Sequence, residues 1–277
     1  MIVEPAPAKI NLALHVRHRR PDGYHALETL FVFAADGDSV TLVPDAVDRF
    51  AITGPFAAAL AGAPEADNLV IRAAHAFRDG FGIAQPHAIT LDKHLPIASG
   101  IGGGSADAAA TLRALAKLHA IAPDDPRLFV IAEALGADVP ACLLGRATLG
   151  TGKGEALLPV DGLAGTPLLL VNPGIAVSTA AVFARWDGVD RGGIATDGDL
   201  LARALAGRND LQPPALAIAP VIAEVLALLD AATGVRLARM SGSGATCFAL
   251  FDSIDARDAA SERASARGWW TLATTLT

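Results

Sequence analysis

Between Pro96 and Ala109 the chain reads P-I-A-S-G-I-G-G-G-S-A-D-A-A, a run of glycines that opens directly into an alanine-rich stretch. Gly100, Gly102, Gly103 and Gly104 allow the backbone to reach positive φ and to approach a ligand closely. Ser105 is placed to cap a helix that continues through Ala106, Ala109, Leu112, Leu115 and Leu118. The first N–H groups of such a helix have no intrahelical partners and carry its positive dipole end, so the chemistry this loop suits is holding a phosphate.

Two common phosphate loops are disfavoured. A Walker loop requires Ser or Thr after its Gly-Lys pair, and Gly152-Lys153 is followed by Gly154. A dinucleotide fingerprint requires G-x-G-x-x-G just after a first strand, whereas Gly100-x-Gly102-x-x arrives at Ser105, a third of the way along the chain. A plain glycine linker would need neither a capping serine nor a helix face of small residues.

Lysines are few. A formal charge of -7 argues against a polyanion-binding surface, and the only lysines are Lys9, Lys93, Lys117 and Lys153. Any bound anion must therefore rely on a few local cations and on backbone donors. Cys142 and Cys247 are far apart in apolar surroundings and read as reduced thiols, with no structural metal expected. Met1 to Pro5 lacks the features of a signal peptide, and the longest apolar stretch, 215–229, is interrupted by Pro220 and Glu224. The expectation is a soluble cytoplasmic protein with neither nucleic acid nor membrane among its partners.

At 277 residues and 52% hydrophobic content, the chain has enough apolar side chains to bury one large or two medium cores. Ile10, Leu12, Leu14 and Val16 alternate with polar or small residues, the period of a strand with one buried face, which leaves Lys9 and Asn11 on the other. Arg20-Pro21-Asp22-Gly23 marks a turn. Residues 27–33 and 39–43 read as two more strands with an Asp36-Gly37 turn between them. Helices are expected over 68–77, 128–135, 178–186, 198–206, 217–229 and 255–266. Strands are expected at 88–91 and 167–171, a glycine loop and strand over 238–251, and a last strand after the final helix. Helices and strands mixed without strict βαβ alternation predict an α+β chain.

Four islands, Pro7-Ala-Lys-Ile-Asn11, Arg20-Pro-Asp-Gly-Tyr-His25, the central loop with Gly136-Ala-Asp-Val-Pro140, and Met240-Ser-Gly-Ser-Gly-Ala-Thr246, together resemble the GHMP family of small-molecule kinases. They resemble most closely its branch acting on a cytidine diphosphate derivative of methylerythritol, and the likeness runs from residue 5 to about 251. It implies a two-domain α+β GHMP kinase fold, with an ATP-binding N-terminal domain over 1–158, a C-terminal domain over 159–277 and the active site in the interdomain cleft. ATP and Mg2+ are the implied cofactors, with the metal ligands unassigned, and a monomer or weak homodimer is expected.

The resemblance also implies residue roles. Lys9, by itself an ordinary strand-edge charge, becomes an active-site lysine, and Asp138, by itself a turn or cap residue, becomes the general base. Pro96, Ile97, Ala98, Ser99, Gly100, Ile101, Gly102, Gly103, Gly104, Ser105 and Ala106 line the nucleotide phosphates, and Asn68 and Lys93 lie near the adenine and ribose. Tyr24 and His25 bind the cytidine end, and Phe183 matches a second stacking aromatic. Asn11 orients the substrate hydroxyls or Asp138, and Gly242 and Gly244 belong to a loop that steers the substrate tail. Asn209-Asp210 matches the family as well. Residues 187–198 match nothing in it, and Gly152 to Glu155 has no assigned role. A sibling kinase acting on homoserine or a mevalonate derivative, a silent nucleotide-binding regulator and an interaction module are the alternatives.

Overall fold

The structure, a computed structural model, describes residues 1–62 and 64–277. Its elements in chain order begin with β1 (Ile2–Arg19), β2 (His25–Pro44), β3 (Arg49–Thr53), α1 (Leu69–Phe81), β4 (His87–Asp92) and α2 (Gly103–Leu118). Next come α3 (Pro126–Leu135), α4 (Val139–Leu144), β5 (Thr148–Gly152), β6 (Ala156–Pro159), β7 (Pro167–Asn172), α5 (Thr179–Ala184) and α6 (Leu200–Ala206). The chain ends with α7 (Gln212–Ile218), α8 (Val221–Asp230), β8 (Val235–Met240), β9 (Cys247–Phe251), α9 (Ile254–Ser265) and β10 (Trp270–Thr275). Two short 3-10 turns precede α1. The architecture is α+β, as the mixed pattern predicts.

Each compact unit is assembled from several segments of the chain. One comprises residues 1–8, 36–97 and 102–145, the other 9–35, 98–101 and 146–277. The reason lies in the strand lengths: β1 and β2 run 18 and 20 residues, so each begins in one unit and ends in the other.

In the first unit, the Ser39–Pro44 half of β2 pairs antiparallel with β4, and β4 pairs parallel with β3. Helix α2 packs against α1 and α4, and Ala106, Ala108, Ala109, Ala110, Ala114 and Ala116 are all buried along it. Small side chains on every face let neighbouring helices come close, which explains how a chain poor in aromatics fills this core. Glu4 is buried and accepts from Arg113 Nε at 3.2 Å and from Lys117 Nζ, which ties the start of β1 to α2.

The expected turn at Asp36-Gly37 does not form, because β2 continues through it. Gly37 is needed there for close approach, since a Cβ at this position would lie 2.2 Å from the Ala6 carbonyl oxygen. Gly37→Ala is expected to cost about 2 kcal/mol or more through overpacking, read as a lowered melting temperature. A variant as stable as the parent would contradict that account.

In the second unit, Leu27–Phe31 of β2 pairs antiparallel with β5, and β5 pairs with β6 in a hairpin. The unassigned Gly152 to Glu155 island is the turn of that hairpin, with Gly152 and Gly154 at positive φ and Glu155 accepting from the Lys153 N–H. A separate antiparallel sheet runs β10-β7-β9-β8. Val225 and Leu229 of α8 and Ala260 and Ala264 of α9 share a buried core with Leu169, Val171, Cys247, Ala249 and Phe251. The helix expected over 217–229 is split, because α7 ends at Ile218 and α8 begins after Pro220. Strand β1 also departs from the one-faced pattern: Ala8 to Val16 is buried without a break, so Lys9, Asn11 and His15 are interior groups that must be satisfied by protein partners.

Candidate functional site

The glycine loop does open a helix, with its geometry shifted from expectation. Gly102, at φ +65°, is the N-cap of α2, and no side chain caps the first turn. Ser105 is the third residue of the helix and not its cap, because the left-handed turn at Gly102 starts the helix earlier. Gly102 has no side-chain oxygen to fold back on the leading N–H groups at Gly103, Gly104 and Ser105, and that end of a 16-residue helix suits an anion. Gly100 also has positive φ, at +78°, and so does Ala98, at +50°, where a non-glycine residue is strained.

Within the first unit, Asn68 caps α1 by accepting from the Val70 N–H at 2.9 Å, and Leu69 Cδ1 lies 3.4 Å from where a Gly104 Cβ would be. Asp138 immediately precedes α4 and makes no capping bond to it. The proline two residues on does not hold Val139 extended, as its position in the sequence suggests; Val139 and Pro140 form the first turn of the helix, where a missing N–H costs nothing. The Lys93 ammonium is buried between Asp38 and Asp107, at 2.5 and 2.6 Å.

Within the second unit, Asn11 is the hub of a buried network. Lys9 Nζ donates to Asn11 Oδ1 at 2.9 Å and stands 5.3 Å from the centre of the Phe31 ring. Asn11 Nδ2 donates to Thr29 Oγ1 at 2.7 Å, and Thr29 Oγ1 donates to the Ala13 carbonyl. That chain fixes the amide orientation, so Asn11 presents its oxygen to the lysine. Asn11 thus orients Lys9, a role the sequence spacing did not supply.

The 240–246 loop joins the same network. The Asn11 N–H donates to Ser241 Oγ, which donates in turn to the Gly100 carbonyl, and the Thr246 N–H donates to the Ser99 carbonyl. A Cβ on Gly100 would lie 2.6 Å from the Ser241 oxygen, and one on Gly242 would lie 2.8 Å from the Gly100 oxygen. The two glycine-rich segments therefore meet backbone to backbone, where no side chain fits. Asn209 supports the loop with 2.8 Å bonds from Nδ2 to the Met240 and Gly242 carbonyls, and Asp210 accepts from the Val16 N–H.

His25 stacks on Phe183 with ring centroids 4.9 Å apart and meets Trp186 edge-on at 5.6 Å. Burial, aided by the nearby Arg19 charge, lowers the His25 pKa, so the imidazole is neutral and offers one donor and one acceptor. Tyr24 is exposed, with Lys153 Nζ 5.3 Å from its ring centre. Trp186 was not anticipated; its indole Nε1 is buried with no hydrogen-bond partner. Residues 187–198, which carried no signal, are strapped down by Arg17 to Asp190, by the Ile194 N–H to Glu28 and by Arg208 to the Gly192 carbonyl.

The chain matches the sequence model of the GHMP kinases N terminal domain over residues 68–146 and that of the GHMP kinases C terminal over 192–268. A protein of Rhizorhabdus wittichii named 4-diphosphocytidyl-2-C-methyl-D-erythritol kinase is 56% identical over 277 residues, covering 99% of this chain and 94% of its own. A crystal structure of 4-(cytidine 5'-diphospho)-2C-methyl-D-erythritol kinase superposes with a TM-score of 0.84 at 35% identity, covering 99% of both chains. A homoserine kinase from Cytophaga hutchinsonii shares the fold, with a TM-score of 0.69 at 20% identity over 99% of this chain and 93% of that one. With both family domains matched and a relative more than half identical along nearly its full length, this chain belongs to the GHMP kinase family, in the branch of the 4-diphosphocytidyl-2-C-methyl-D-erythritol kinases.

Proposed function

We infer that this chain transfers the γ-phosphoryl group of ATP to the 2-hydroxyl of 4-diphosphocytidyl-2-C-methyl-D-erythritol, giving the 2-phosphate and ADP, a step of non-mevalonate isoprenoid precursor synthesis. The observation that carries this reading is the near full-length identity to a relative of that name. The uncapped start of α2 and the loop leading to it are proposed to hold the nucleotide phosphates. His25 and Phe183 are proposed to hold the cytosine, with the ring faces supplying stacking area and the neutral imidazole a hydrogen bond. Tyr24 is proposed to add a second face, and the 240–246 glycine loop, with Gly242 and Gly244, to steer the substrate tail.

Asp138 is assigned to accept the hydroxyl proton as the oxygen attacks phosphorus in line. Lys9, oriented by Asn11, is assigned to stabilise the negative charge that gathers during transfer. Mg2+ fits as an ion carried in on the phosphates: among the described residues no group of three or more His, Cys, Asp or Glu side chains is placed to hold a metal, and Mg2+ commonly keeps phosphate and water ligands. When bound it supplies charge neutralisation, and Ser105 in the first turn of α2 is the hydroxyl candidate to hold it. No helix among the described residues is long and apolar enough to cross a membrane, and we place the reaction in the cytoplasm, with the enzyme a monomer or weak homodimer.

The deciding experiment is ADP release by the purified protein with Mg-ATP and either 4-diphosphocytidyl-2-C-methyl-D-erythritol, homoserine or mevalonate. Turnover with the cytidyl substrate alone is expected. Turnover with one of the other alcohols would keep the kinase and remove the cytidine pocket, and ATP binding without any turnover would favour a regulator. Phe183→Ala is expected to raise KM for the cytidyl substrate by about tenfold or more, the value of one base–aromatic stack, with kcat at saturation little changed. An unaltered KM would take Phe183 out of the base site.

A further inference from the structure

Lys93, Asp38 and Asp107 form a sealed cluster in the first unit, with side-chain exposures of 3%, 0% and 4%. Lys93 Nζ donates to Asp38 Oδ2 at 2.5 Å and to Asp107 Oδ2 at 2.6 Å. Asp38 Oδ1 accepts from the His94 and Leu95 N–H groups at 2.5 and 2.8 Å. One carboxylate thus holds both the lysine and the two residues that follow it. A Cβ on Gly103 would lie 3.1 Å from Lys93 Nζ and 3.7 Å from Asp38 Oδ2, so the ammonium abuts the first residue of α2.

The placement of these bonds along the chain carries the argument. The chain enters the glycine loop through 93–95 and leaves it through 103–107, and the cluster grips both stretches. The Lys93 backbone is held too: its N–H donates to the Thr53 carbonyl at 2.8 Å, and its own carbonyl accepts from Phe56. Burial works against the lysine's charge, yet Asp107 and Asp38 outweigh it and keep the pKa above the ordinary lysine value. Burial, with the Asp38 charge beside it, pushes the Asp107 carboxyl up to about 7, so near neutral pH a proton offsets part of the excess of carboxylates over the one ammonium, and Asp107 Oδ1 has no hydrogen-bond partner. Such a cluster is a poor device for stability alone, since an apolar replacement of similar volume often does as well. Its distinctive effect is to fix where the N–H groups at the start of α2 point.

We propose that Lys93, held between Asp38 and Asp107, is a positioning residue for nucleotide binding, a clamp across the base of the glycine loop that presets the Gly103 to Ser105 N–H groups for phosphate. This rests on the reading of that loop as the ATP site. It replaces direct contact of the Lys93 ammonium with adenine or ribose by action through the loop backbone.

The test compares the wild type with Asp107→Asn, which keeps an acceptor for the lysine, and with the triple variant Asp38→Asn/Lys93→Met/Asp107→Leu, which removes all three charges together while the asparagine at position 38 keeps an acceptor for the His94 and Leu95 N–H groups. Kd for Mg-AMPPNP, KM for ATP, KM for the cytidyl substrate, kcat and the melting temperature are measured for each. The triple variant is expected to stay folded while its Kd and KM for ATP rise by about tenfold, the scale of one charged hydrogen bond's ordering. Its kcat at saturating ATP and its KM for the cytidyl substrate should be unchanged, and Asp107→Asn should recover most of the nucleotide affinity. Wild-type affinity in the triple variant overturns the proposal. So does loss of folding, or an equal loss toward both substrates, since each assigns the cluster to stability. If the wild type itself binds no ATP, the loop reading fails and takes the clamp with it, a result distinct from a wild type that binds beside variants that bind equally well.

Discussion

Asp138→Asn is expected to lower kcat by about 10²–10⁴-fold, the usual contribution of a general base, with the melting temperature unchanged. Asparagine matches aspartate in size and keeps a carbonyl acceptor, so the substitution removes proton acceptance while preserving shape. The melting temperature measured beside kcat separates a loss of chemistry from a loss of folding. Helix α4, which follows Asp138, starts on Val139 and Pro140, both buried, and is held by packing against α2 and α3. KM for ATP and for the cytidyl substrate should move little, since the lost interaction is made with the transferring proton and not with bound ground states. Activity within a few-fold of the parent would remove Asp138 from the chemistry. A large rise in KM with kcat intact would recast it as a binding group.

The sequence was most informative where chemistry and local conformation coincide. The glycine run before an alanine-rich helix could be read as an anion site because φ > 0 and free N–H groups are local properties, and both appear in α2. Gly37 shows the limit of that kind of reading. A glycine beside an aspartate signals a turn equally well whether it serves a turn or a crossing strand, and the Ala6 carbonyl that decides the matter lies some thirty residues earlier in the chain. Lys93 shows the same limit for a charge. Its partners are 55 and 14 residues away, so no spacing rule connects them, and a lone lysine beside a phosphate loop invites assignment to the ligand. Asp107 was the signal available, as a carboxylate inside a helix rich in alanine and leucine needs a partner. The role of Asn11 was half visible. Its alternation with Lys9 put the two on one strand face, while the Thr29 and Ser241 contacts that set its amide come from β2 and from the 240–246 loop.

Lys9→Met is expected to lower kcat by about 10²–10³-fold, the range seen when one preorganised donor to a developing charge is removed. Methionine approximates the volume of the aliphatic stem, so packing against Phe31 is largely retained and the charge is what is lost. Lys9 is buried to 3% exposure, with Asn11 Oδ1 at 2.9 Å and the Phe31 ring face among its partners. Because methionine leaves Asn11 Oδ1 without its donor, a modest drop in melting temperature is expected beside the loss of turnover, with the fold retained. Asn11→Ala, which leaves the ammonium charged but unaligned, should fall between the parent and Lys9→Met in kcat, since orientation and charge are separable contributions. Lys9→Arg should not rescue, because a planar guanidinium cannot occupy the site of a compact ammonium without displacing Asn11. The assignment fails if Lys9→Met keeps kcat within a few-fold, or if the loss falls on KM for ATP alone, which would make Lys9 a ground-state phosphate contact and leave charge stabilisation in the transition state to other groups.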